Sequence, residues 1–424
     1  MKSESRGRAP APVFSVLKDS DFRALWYVGG LAELARWMEQ LVLGWLVLEI
    51  TDSPFQLGLV LVFNNLPRPF FSLFTGLIAD RFSRRRILIV AQTSNVLTAA
   101  VLLTLMIFGL IQPWQVFMAA FALGVSRALE DPSRRTAILD IVGERRLVNA
   151  MSLEVIGATA GRMLGPLLGG ILIDTVDFKG AYSFLLAVHL SNLTLLMTRV
   201  RIPLLRRYPQ KEPVWKGLGV AIGYARHNRT LLGLLYVTIV MNALAFPVRQ
   251  FIPVIGRDQL HVGATLVGLL VASEGFGQLV GAGMVALTRN LQHLGRVYVL
   301  GSVGVLAAAT VFAWSPWYAL AFVLLTAGGI GQAGFSTMQS TISMLTAPQD
   351  MRGRMMGLLS FCIGVGIPFG TLEMGAIAAI SAQWAISGNT VAGLLLLLPA
   401  VFATPLVRRP ITQPPPTVSP GGNP

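Results

Sequence analysis

Three charged residues recur at one-turn spacing within an apolar stretch near the start of the sequence. Glu33, Arg36 and Glu39 stand at i, i+3 and i+6, so that Arg36 is a helical neighbour of both carboxylates. Charges inside apolar segments are costly unless they are paired or hydrated, and by default they mark an ion or substrate pathway. The chemistry this favours is reversible protonation, first of Glu33, the deepest carboxylate of the first half of the chain. A static arrangement that only fixes packing is the alternative.

Two further carboxylates and two arginines lie inside apolar segments later in the chain. Glu274 and Glu373 are candidates for a second carboxylate, whereas Arg162 and Arg249 would neutralise a carboxylate, hold an anionic cargo or clamp two helices. The sequence contains neither a G-x-x-x-x-G-K-[ST] loop nor an H-E-x-x-H pair, which disfavours ATP hydrolysis and zinc chemistry. We therefore expect no cofactor, no metal and no enzymatic activity.

The segments that carry these residues are apolar enough to cross a membrane. The 424 residues are 54% hydrophobic and 13% charged, with a mean hydropathy of +0.64, which excludes an ordinary water-soluble domain. Because a helical span takes roughly 20 residues, the sequence predicts an all-α membrane protein with twelve transmembrane helices. Their predicted positions are about 22–48, 55–78, 87–110, 114–133, 148–173, 180–201, 230–255, 265–288, 294–313, 317–345, 351–381 and 386–407.

The basic residues predict the orientation of the chain. They concentrate in the N-terminal tail and in alternate connections, around 81–86, 134–146, 199–229, 289–296, 352–354 and 408–409, whereas the opposite side carries only Lys179 and Arg257. By the positive-inside rule, both termini are cytoplasmic. The net charge of +14 is dispersed over these segments and forms no single stripe, which argues against nucleic acid as a partner.

The two halves of the chain resemble each other weakly. Trp114 and Trp317 each begin a span after a short proline-containing turn, and the Gly-Pro pair at 165–166 has a counterpart in the Ile-Pro pair at 367–368. Such duplication is typical of transporters with two pseudo-symmetric bundles around a midplane site. The predicted units are a cytoplasmic tail (1–21), a six-helix bundle (22–201), a cytoplasmic linker with an amphipathic helix (202–229), a second six-helix bundle (230–407) and a disordered tail (408–424).

The connection between the second and third spans carries the most specific motif. It reads Gly-Leu-Ile-Ala-Asp-Arg-Phe-Ser-Arg-Arg-Arg over 76–86 and resembles the G-x-x-x-D-R-x-x-R-R motif of the major facilitator superfamily. The glycine would allow two helices to approach closely, and the arginines would pair with carboxylates when the cytoplasmic side closes. An anchor that serves only topology is the alternative. The predicted cytoplasmic latch consists of Gly76, Asp80, Arg81, Arg84 and Arg85.

The fifth span presents small residues at four-residue intervals. The run over 161–170 resembles the G-x-x-x-G-P-x-x-G-G signature of drug/proton antiporters in the same superfamily, and the stretches 35–47 and 131–137 are similar to its branch of enterobactin and macrolide exporters. A glycine face permits close packing and a proline bends the helix, which suits a surface along which two bundles rock. Close packing without such movement is the alternative. The predicted hinge consists of Gly157, Gly161, Gly165, Pro166, Gly169 and Gly170.

These resemblances imply a secondary active transporter of the major facilitator fold in the bacterial cytoplasmic (inner) membrane. We expect a monomer that exports amphiphilic small molecules, siderophore-like or drug-like, in exchange for protons by alternating access. Its partners are then the cargo, protons and the lipid bilayer. Uptake or facilitated diffusion by the same fold is one alternative, and a membrane scaffold or sensor that transports nothing is another.

Overall fold

A computed structural model of the chain describes residues 13–67, 82–202, 214–288, 293–348 and 351–408. Throughout these ranges the regular secondary structure is helical. The α-helices that it describes are α1 (Ser20–Thr51), α2 (Pro54–Asn65), α3 (Arg84–Ile107), α4 (Pro113–Thr198), α5 (Val214–His227), α6 (Arg229–Val240), α7 (Ile252–Asp258), α8 (Ala264–Leu287), α9 (Leu294–Phe312), α10 (Tyr318–Thr346), α11 (Arg352–Ala378) and α12 (Ala382–Ala403). Below, the N half means the described residues before 203 and the C half those from 214 onward.

The helices do not correspond one to one with the predicted spans. A π-helical turn (Met241–Ala245) and a 3-10 turn (Phe246–Phe251) join α6 to α7, so that both helices belong to one predicted span. Conversely, α4 covers three predicted spans and breaks only at Gly143 (φ 69°) and Asp177 (φ 61°). The connections expected there are helical up to these single left-handed residues. Glycine adopts this conformation without a Cβ clash, and the Asp177 carboxylate accepts a hydrogen bond from the next backbone N–H at 2.6 Å.

Short polar residues begin five of the helices. Their side chains accept hydrogen bonds from backbone N–H groups of the first turn, which have no partner within the helix. Such caps fix the residue at which each helix begins. The capping residues are Asp19 for α1, Ser53 for α2, Ser83 for α3, Asn228 for α6 and Ser381 for α12.

The outside of the helix bundle is apolar. Eight helical stretches among the described residues are long and apolar enough to cross a membrane. Large apolar side chains such as Val148, Leu287 and Ile380 are 75%, 83% and 90% exposed. In water this exposure would oppose folding, whereas lipid tails solvate it. The chain is therefore a multi-pass membrane protein.

The described residues form three buried apolar clusters, and among these one joins the two halves. The shared cluster combines residues such as Leu41, Trp45 and Leu57 of the N half with residues such as Phe251 and Val267 of the C half. It lies where α1 ends and α8 begins. We call this end of the bundle the joined end.

At the opposite end, each half has its own cluster. The N-half cluster includes Phe22, Leu25 and Leu153, and the C-half cluster includes Leu231 and Ile342. We call this end, where α1 begins and α8 ends, the split end. Among the described residues, the most extensive helix contacts between the halves lie toward the joined end, between α2 and α11 and between the middle segment of α4 (144–176) and α8.

Candidate transport site

The charged residues of α1 lie in an ion-pair network inside the N half. Arg36 Nη1 lies 3.0 Å from Glu33 Oε1, and Arg36 Nη2 lies 2.7 Å from Asp131 Oδ1 on α4. Arg134 Nη2 also contacts Glu33 Oε1, at 3.0 Å, and Arg134 Nη1 lies 3.1 Å from Glu154 Oε1. Two guanidinium groups thus hold the Glu33 carboxylate, and the network joins α1 to two segments of α4.

Sequence reasoning found only part of this network. It identified the spacing of Glu33 and Arg36, but it assigned Arg134 to a basic cytoplasmic connection. In the structure α4 continues through this region and Arg134 is only 5% exposed. The sequence did contain a local sign that Arg134 belongs with Asp131. Arg134 stands three positions after Asp131, so the two side chains share a helix face.

Glu39 lies apart from this network. The sequence placed it as a helical neighbour of Arg36, whereas in the structure Arg36 contacts Glu33 and Asp131. The Glu39 carboxylate is buried and its Oε2 lies 3.9 Å from His189 Nε2, in the last segment of α4 (178–198). The third charge of α1 therefore belongs to a different polar environment.

The other face of α1 presents Trp37 to arginines from both halves. The guanidinium carbon of Arg162 lies 5.0 Å from the centre of the Trp37 ring, and that of Arg249 lies 5.8 Å from it. Both distances are within the range of cation–π attraction. A crevice at this point is lined by residues of both halves, among them Trp37, Gln40, Pro166, Arg249 and Gln250. We call this the central site.

The two arginines of the central site have different partners. Arg249 makes a bidentate ion pair with Glu274 through Nε and Nη2, with Nε at 2.6 Å from Oε2. Arg162 Nη1 donates to the amide oxygen of Gln278 at 2.7 Å, and its buried Nε has no hydrogen-bond partner among the described residues. The site thus combines an aromatic face, a neutralised arginine and an arginine bound to an uncharged amide. This combination fits a cargo with an aromatic or apolar body and an anionic group.

Glu373 does not join the central site. Its side chain is exposed on α11, and the amide of Asn389 on α12, in the orientation that satisfies both groups, donates to Glu373 Oε1 at 3.1 Å. Of the two carboxylates proposed beside the arginines, the structure brings only Glu274 to them.

Two polar contacts join the halves at the joined end. Arg257 on α7 donates from Nη1 to the carbonyl of Leu48 at 3.0 Å and from Nη2 to Asp52 Oδ1 at 2.6 Å, both at the end of α1. The carboxylate of Asp174 on α4 accepts hydrogen bonds from the backbone N–H groups of Ala264 and Thr265, at 3.1 and 2.8 Å, where α8 begins. Neither contact was predicted, because each joins residues far apart in the sequence.

The glycine series of the fifth span faces α1 more than it faces the C half. A Cβ on Gly161 would lie 2.7 Å from Glu33 Cβ, and one on Gly165 would lie 2.8 Å from the carbonyl oxygen of Leu34. Gly169 also faces α1, Gly157 faces Trp26 at 3.6 Å, and Gly170 packs on α8. Pro166 lies against α8 through its carbonyl, which contacts Gly268.

Part of the predicted cytoplasmic latch lies outside the described residues, namely Gly76, Asp80 and Arg81. Of its other members, Arg84 pairs with Asp140 on α4. Arg85 Nη2 donates to the carbonyl of Met197 at 2.6 Å, near the end of α4. These arginines therefore contact a carboxylate and a helix C-terminus within the N half, at the split end.

The chain resembles known proteins over most of its length. The family described as transmembrane secretion effectors matches residues 11–413. The enterobactin exporter of Salmonella choleraesuis is 26% identical over 365 residues, which cover 82% of this chain and 84% of that protein. The enterobactin exporter of an Escherichia coli strain is 24% identical over 386 residues, which cover 88% and 89%. The resemblance to the major facilitator superfamily is confirmed.

Solved structures share the fold at low sequence identity. A bacterial homologue of the human lysosomal transporter Spinster, in an inward-facing and unoccupied conformation, superposes with a TM-score of 0.70 at 16% identity, covering 92% of this chain and 96% of that one. A nucleoside transporter superposes with a TM-score of 0.72 at 13% identity, covering 90% and 97%. These relatives and neighbours are transporters and not enzymes.

Proposed function

Because this chain belongs to the transmembrane secretion effectors of the major facilitator superfamily, we propose that it exports amphiphilic small molecules from the bacterial cytoplasm in exchange for protons. It is a multi-pass protein of the bacterial inner membrane. One contact supports the assignment of the cargo site most directly: Trp37 lies against guanidinium groups from both halves, at 5.0 and 5.8 Å. A ligand at this point touches both halves at once.

The proposed topology has twelve spans in two six-helix bundles, residues 22–201 and 230–407, with both termini in the cytoplasm. The distribution of Lys and Arg supports this orientation, which would put the split end at the cytoplasmic side. The helix α5, within the linker 202–229, would lie along the cytoplasmic membrane surface. Since one chain supplies both bundles, a monomer is sufficient for transport.

The proposed mechanism is alternating access. In the arrangement described here the joined end would be closed, and cargo would enter the central site from the cytoplasmic, split end. Opening the joined end would require separation of the shared apolar cluster and loss of the Arg257 and Asp174 contacts, which are polar and therefore exchangeable for water. Through Gly170, which packs on α8, the predicted hinge glycines would assist closure of the joined end. The arginine motif at 76–86 would assist closure of the split end.

The first cargo to test is a siderophore-like molecule, and drug-like amphiphiles come next. The relatives are named for enterobactin export. Trp37 offers a face for an aromatic ring, while Arg162 offers a guanidinium bound to an uncharged amide. In membrane surroundings an anionic group on the cargo would gain more from that guanidinium than it would in water.

The proposed coupling uses a carboxylate of α1, with Glu33 and its arginines as one candidate relay. Glu33 pairs with both Arg36 and Arg134, and these pairs tie this candidate relay to α4.

Export and coupling are tested together in an efflux-deficient bacterium and in inverted membrane vesicles. Wild type is compared with Trp37→Ala and Arg162→Met, and with Trp114→Phe as a control at an exposed tryptophan. We expect wild type and the control to protect cells against a panel of siderophores and amphiphilic toxins and to release protons upon cargo addition. The two site variants should lose most of this activity.

Other outcomes identify the alternative functions. Cargo movement that follows its own gradient and ignores an imposed pH gradient would indicate a facilitative carrier. Accumulation of cargo in intact cells would indicate uptake. A wild-type protein that moves neither cargo nor protons across the whole panel would contradict transport itself and support a scaffold or sensor.

A further inference from the structure

A second polar pocket lies inside the N half, behind α1. Two positions separate Trp37 from Glu39, and at 3.6 residues per turn this puts the two side chains on opposite faces of the helix. All the side chains of the pocket are buried. They are Glu39 on α1, Gln92 and Asn95 on α3, and Tyr182 and His189 on the last segment of α4.

The hydrogen bonds of Gln92 fix the tautomer of His189. Gln92 Nε2 lies 3.0 Å from the backbone carbonyl of His189, which can only accept, so this nitrogen is a donor. The same nitrogen lies 3.0 Å from His189 Nδ1, which must therefore accept. A neutral imidazole carries one N–H, and here it is on Nε2. A proton on Nδ1 instead would point at the amide N–H group of Gln92.

The imidazole N–H is on the side of Glu39. His189 Nε2 lies 3.9 Å from Glu39 Oε2, a gap that a small shift of α1 or a bridging water would close. Several buried polar atoms of the pocket have no hydrogen-bond partner among the described residues: Glu39 Oε1, Asn95 Oδ1, the Tyr182 hydroxyl and His189 Nε2. Each atom left in this condition is unfavourable, because burial has removed its hydrogen bonds to water. Glu39 Oε1 is therefore an acceptor that is available for a proton.

We propose that this pocket binds the exchanged proton on Glu39 Oε1, with neutral His189 as the hydrogen-bond donor to Oε2. The proposal rests on the proton-coupled export proposed above. The titratable groups that face Glu39 are His189 and Tyr182 from α4, and α3 contributes the amides of Gln92 and Asn95. Glu33, in contrast, is already paired with two guanidinium groups.

The position of Glu39 links proton binding to the cargo. Trp37 contacts the arginines of the central site, and Glu39 contacts the interior of the N half, so one helix carries both. When Glu39 loses its proton, the buried carboxylate gains from a closer approach of His189 Nε2–H. That approach requires α1 to move, and Trp37 moves with it. Proton release and cargo contact are thereby coupled through one rigid helix.

Infrared difference spectroscopy tests proton binding without any cargo. Wild type, Glu39→Gln and Glu49→Gln are reconstituted in liposomes and titrated with pH; Glu49 is an exposed carboxylate on the same helix and provides the control. We expect a protonated-carboxyl C=O band in wild type and in the control, and its absence from Glu39→Gln. If all three proteins show the same bands, the pocket does not bind the proton.

A second variant separates loss of the proton site from loss of folding. Gln92→Leu removes the donor that fixes the His189 tautomer and leaves Glu39 in place. We expect it to keep the carboxyl band but to shift the pH at which the band titrates. An unchanged titration would contradict the role assigned to His189.

Transport assays then distinguish failure of this inference from failure of the proposed function. With enterobactin as the probe, Glu39→Gln should lose export driven by a pH gradient and retain counterflow, in which cargo exchanges for cargo. A Glu39→Gln variant that still responds to the pH gradient overturns the inference, while wild-type export by proton exchange remains. If wild type itself ignores the pH gradient, the proposed function fails, and the infrared band alone decides whether the pocket binds a proton.

Discussion

The joined end and the split end of the bundle are held together by different means. At the joined end one apolar cluster contains residues of both halves, and two polar contacts cross between them. At the split end each half has a separate cluster, and the N half adds the buried network of Glu33, Arg36 and Arg134. Cohesion at the split end thus lies within the halves, whereas at the joined end it lies between them.

This difference indicates where the molecule can change shape. Ion pairs buried within the N half are costly to break and keep it rigid. The cross-contacts of Arg257 and Asp174 are partly exposed, and their loss costs little once water replaces them. A transporter that rocks needs rigid halves, which the contacts within each half supply, and cross-contacts that can be exchanged for water, which Arg257 and Asp174 supply.

The most destabilising substitution is expected within the N half, at Arg134. Arg134→Met leaves Glu33 and Glu154 without the guanidinium that holds both, and removal of one member of a buried ion pair costs about 3–5 kcal/mol. We expect a marked fall in the thermal unfolding midpoint in detergent. Arg135→Met, at the exposed neighbouring position, should leave it almost unchanged. Equal midpoints for the two variants would show that the network does not stabilise the N half.

A smaller effect is expected from overpacking between the halves. A Cβ on Gly170 would overlap the backbone carbonyl of Ala264 on α8, and backbone atoms cannot rotate away. Overpacking of this kind costs about 1–3 kcal/mol, and we expect Gly170→Ala to separate the joined end. Pulsed electron paramagnetic resonance between spin labels at Lys179 and His261 measures this separation. Gly283→Ala is the control, because a Cβ there meets no described atom within 4 Å.

Arg257→Gln weakens a contact at the joined end and leaves the split end unchanged. It removes the charge that binds Asp52. The more buried hydrogen bond to the Leu48 carbonyl would then come from an uncharged amide or be lost. Because Asp52 is largely exposed, we expect a shift of only about 1 kcal/mol toward separation, roughly a fivefold change in the ratio of the two populations. The same spin-label distance reports it. Asp258→Asn alters only the contact between Asp258 and its neighbour Arg257, which lies within the C half. It should not change the distance between the spin labels.

The smallest effect is expected at Asp174, which caps α8 across the interface. Asp174→Ala removes the acceptor for two backbone N–H groups, and because Asp174 is exposed we expect a cost of about 0.5 kcal/mol, the low end of the range for a lost helix cap. Asp174→Asn keeps one acceptor oxygen and should lie between the alanine variant and wild type. If both variants give the wild-type distance between spin labels, the cap does not hold the joined end. If the asparagine variant separates more than the alanine variant, the assigned hydrogen bonds are wrong.

Much of the outline was predictable from the sequence because it depends on local composition. Apolar stretches of sufficient length indicated the membrane helices, and the motif at 76–86 with the glycine run at 161–170 indicated the superfamily. The spacing of Glu33 and Arg36 gave a contact, since residues three apart share a helix face. Each of these inferences requires only the period of a helix or the chemistry of adjacent residues.

The partners across helices required the tertiary structure. Glu33 and Glu39 are six residues apart on one helix and each is a helical neighbour of Arg36, yet Glu33 meets Arg134 and Glu39 meets His189. Local periodicity sets the face on which a side chain lies, but only packing sets which distant helix covers that face. For this reason composition alone determined that the chain is a membrane helix bundle. The fold decided which carboxylates are paired with arginine and which end joins the two halves.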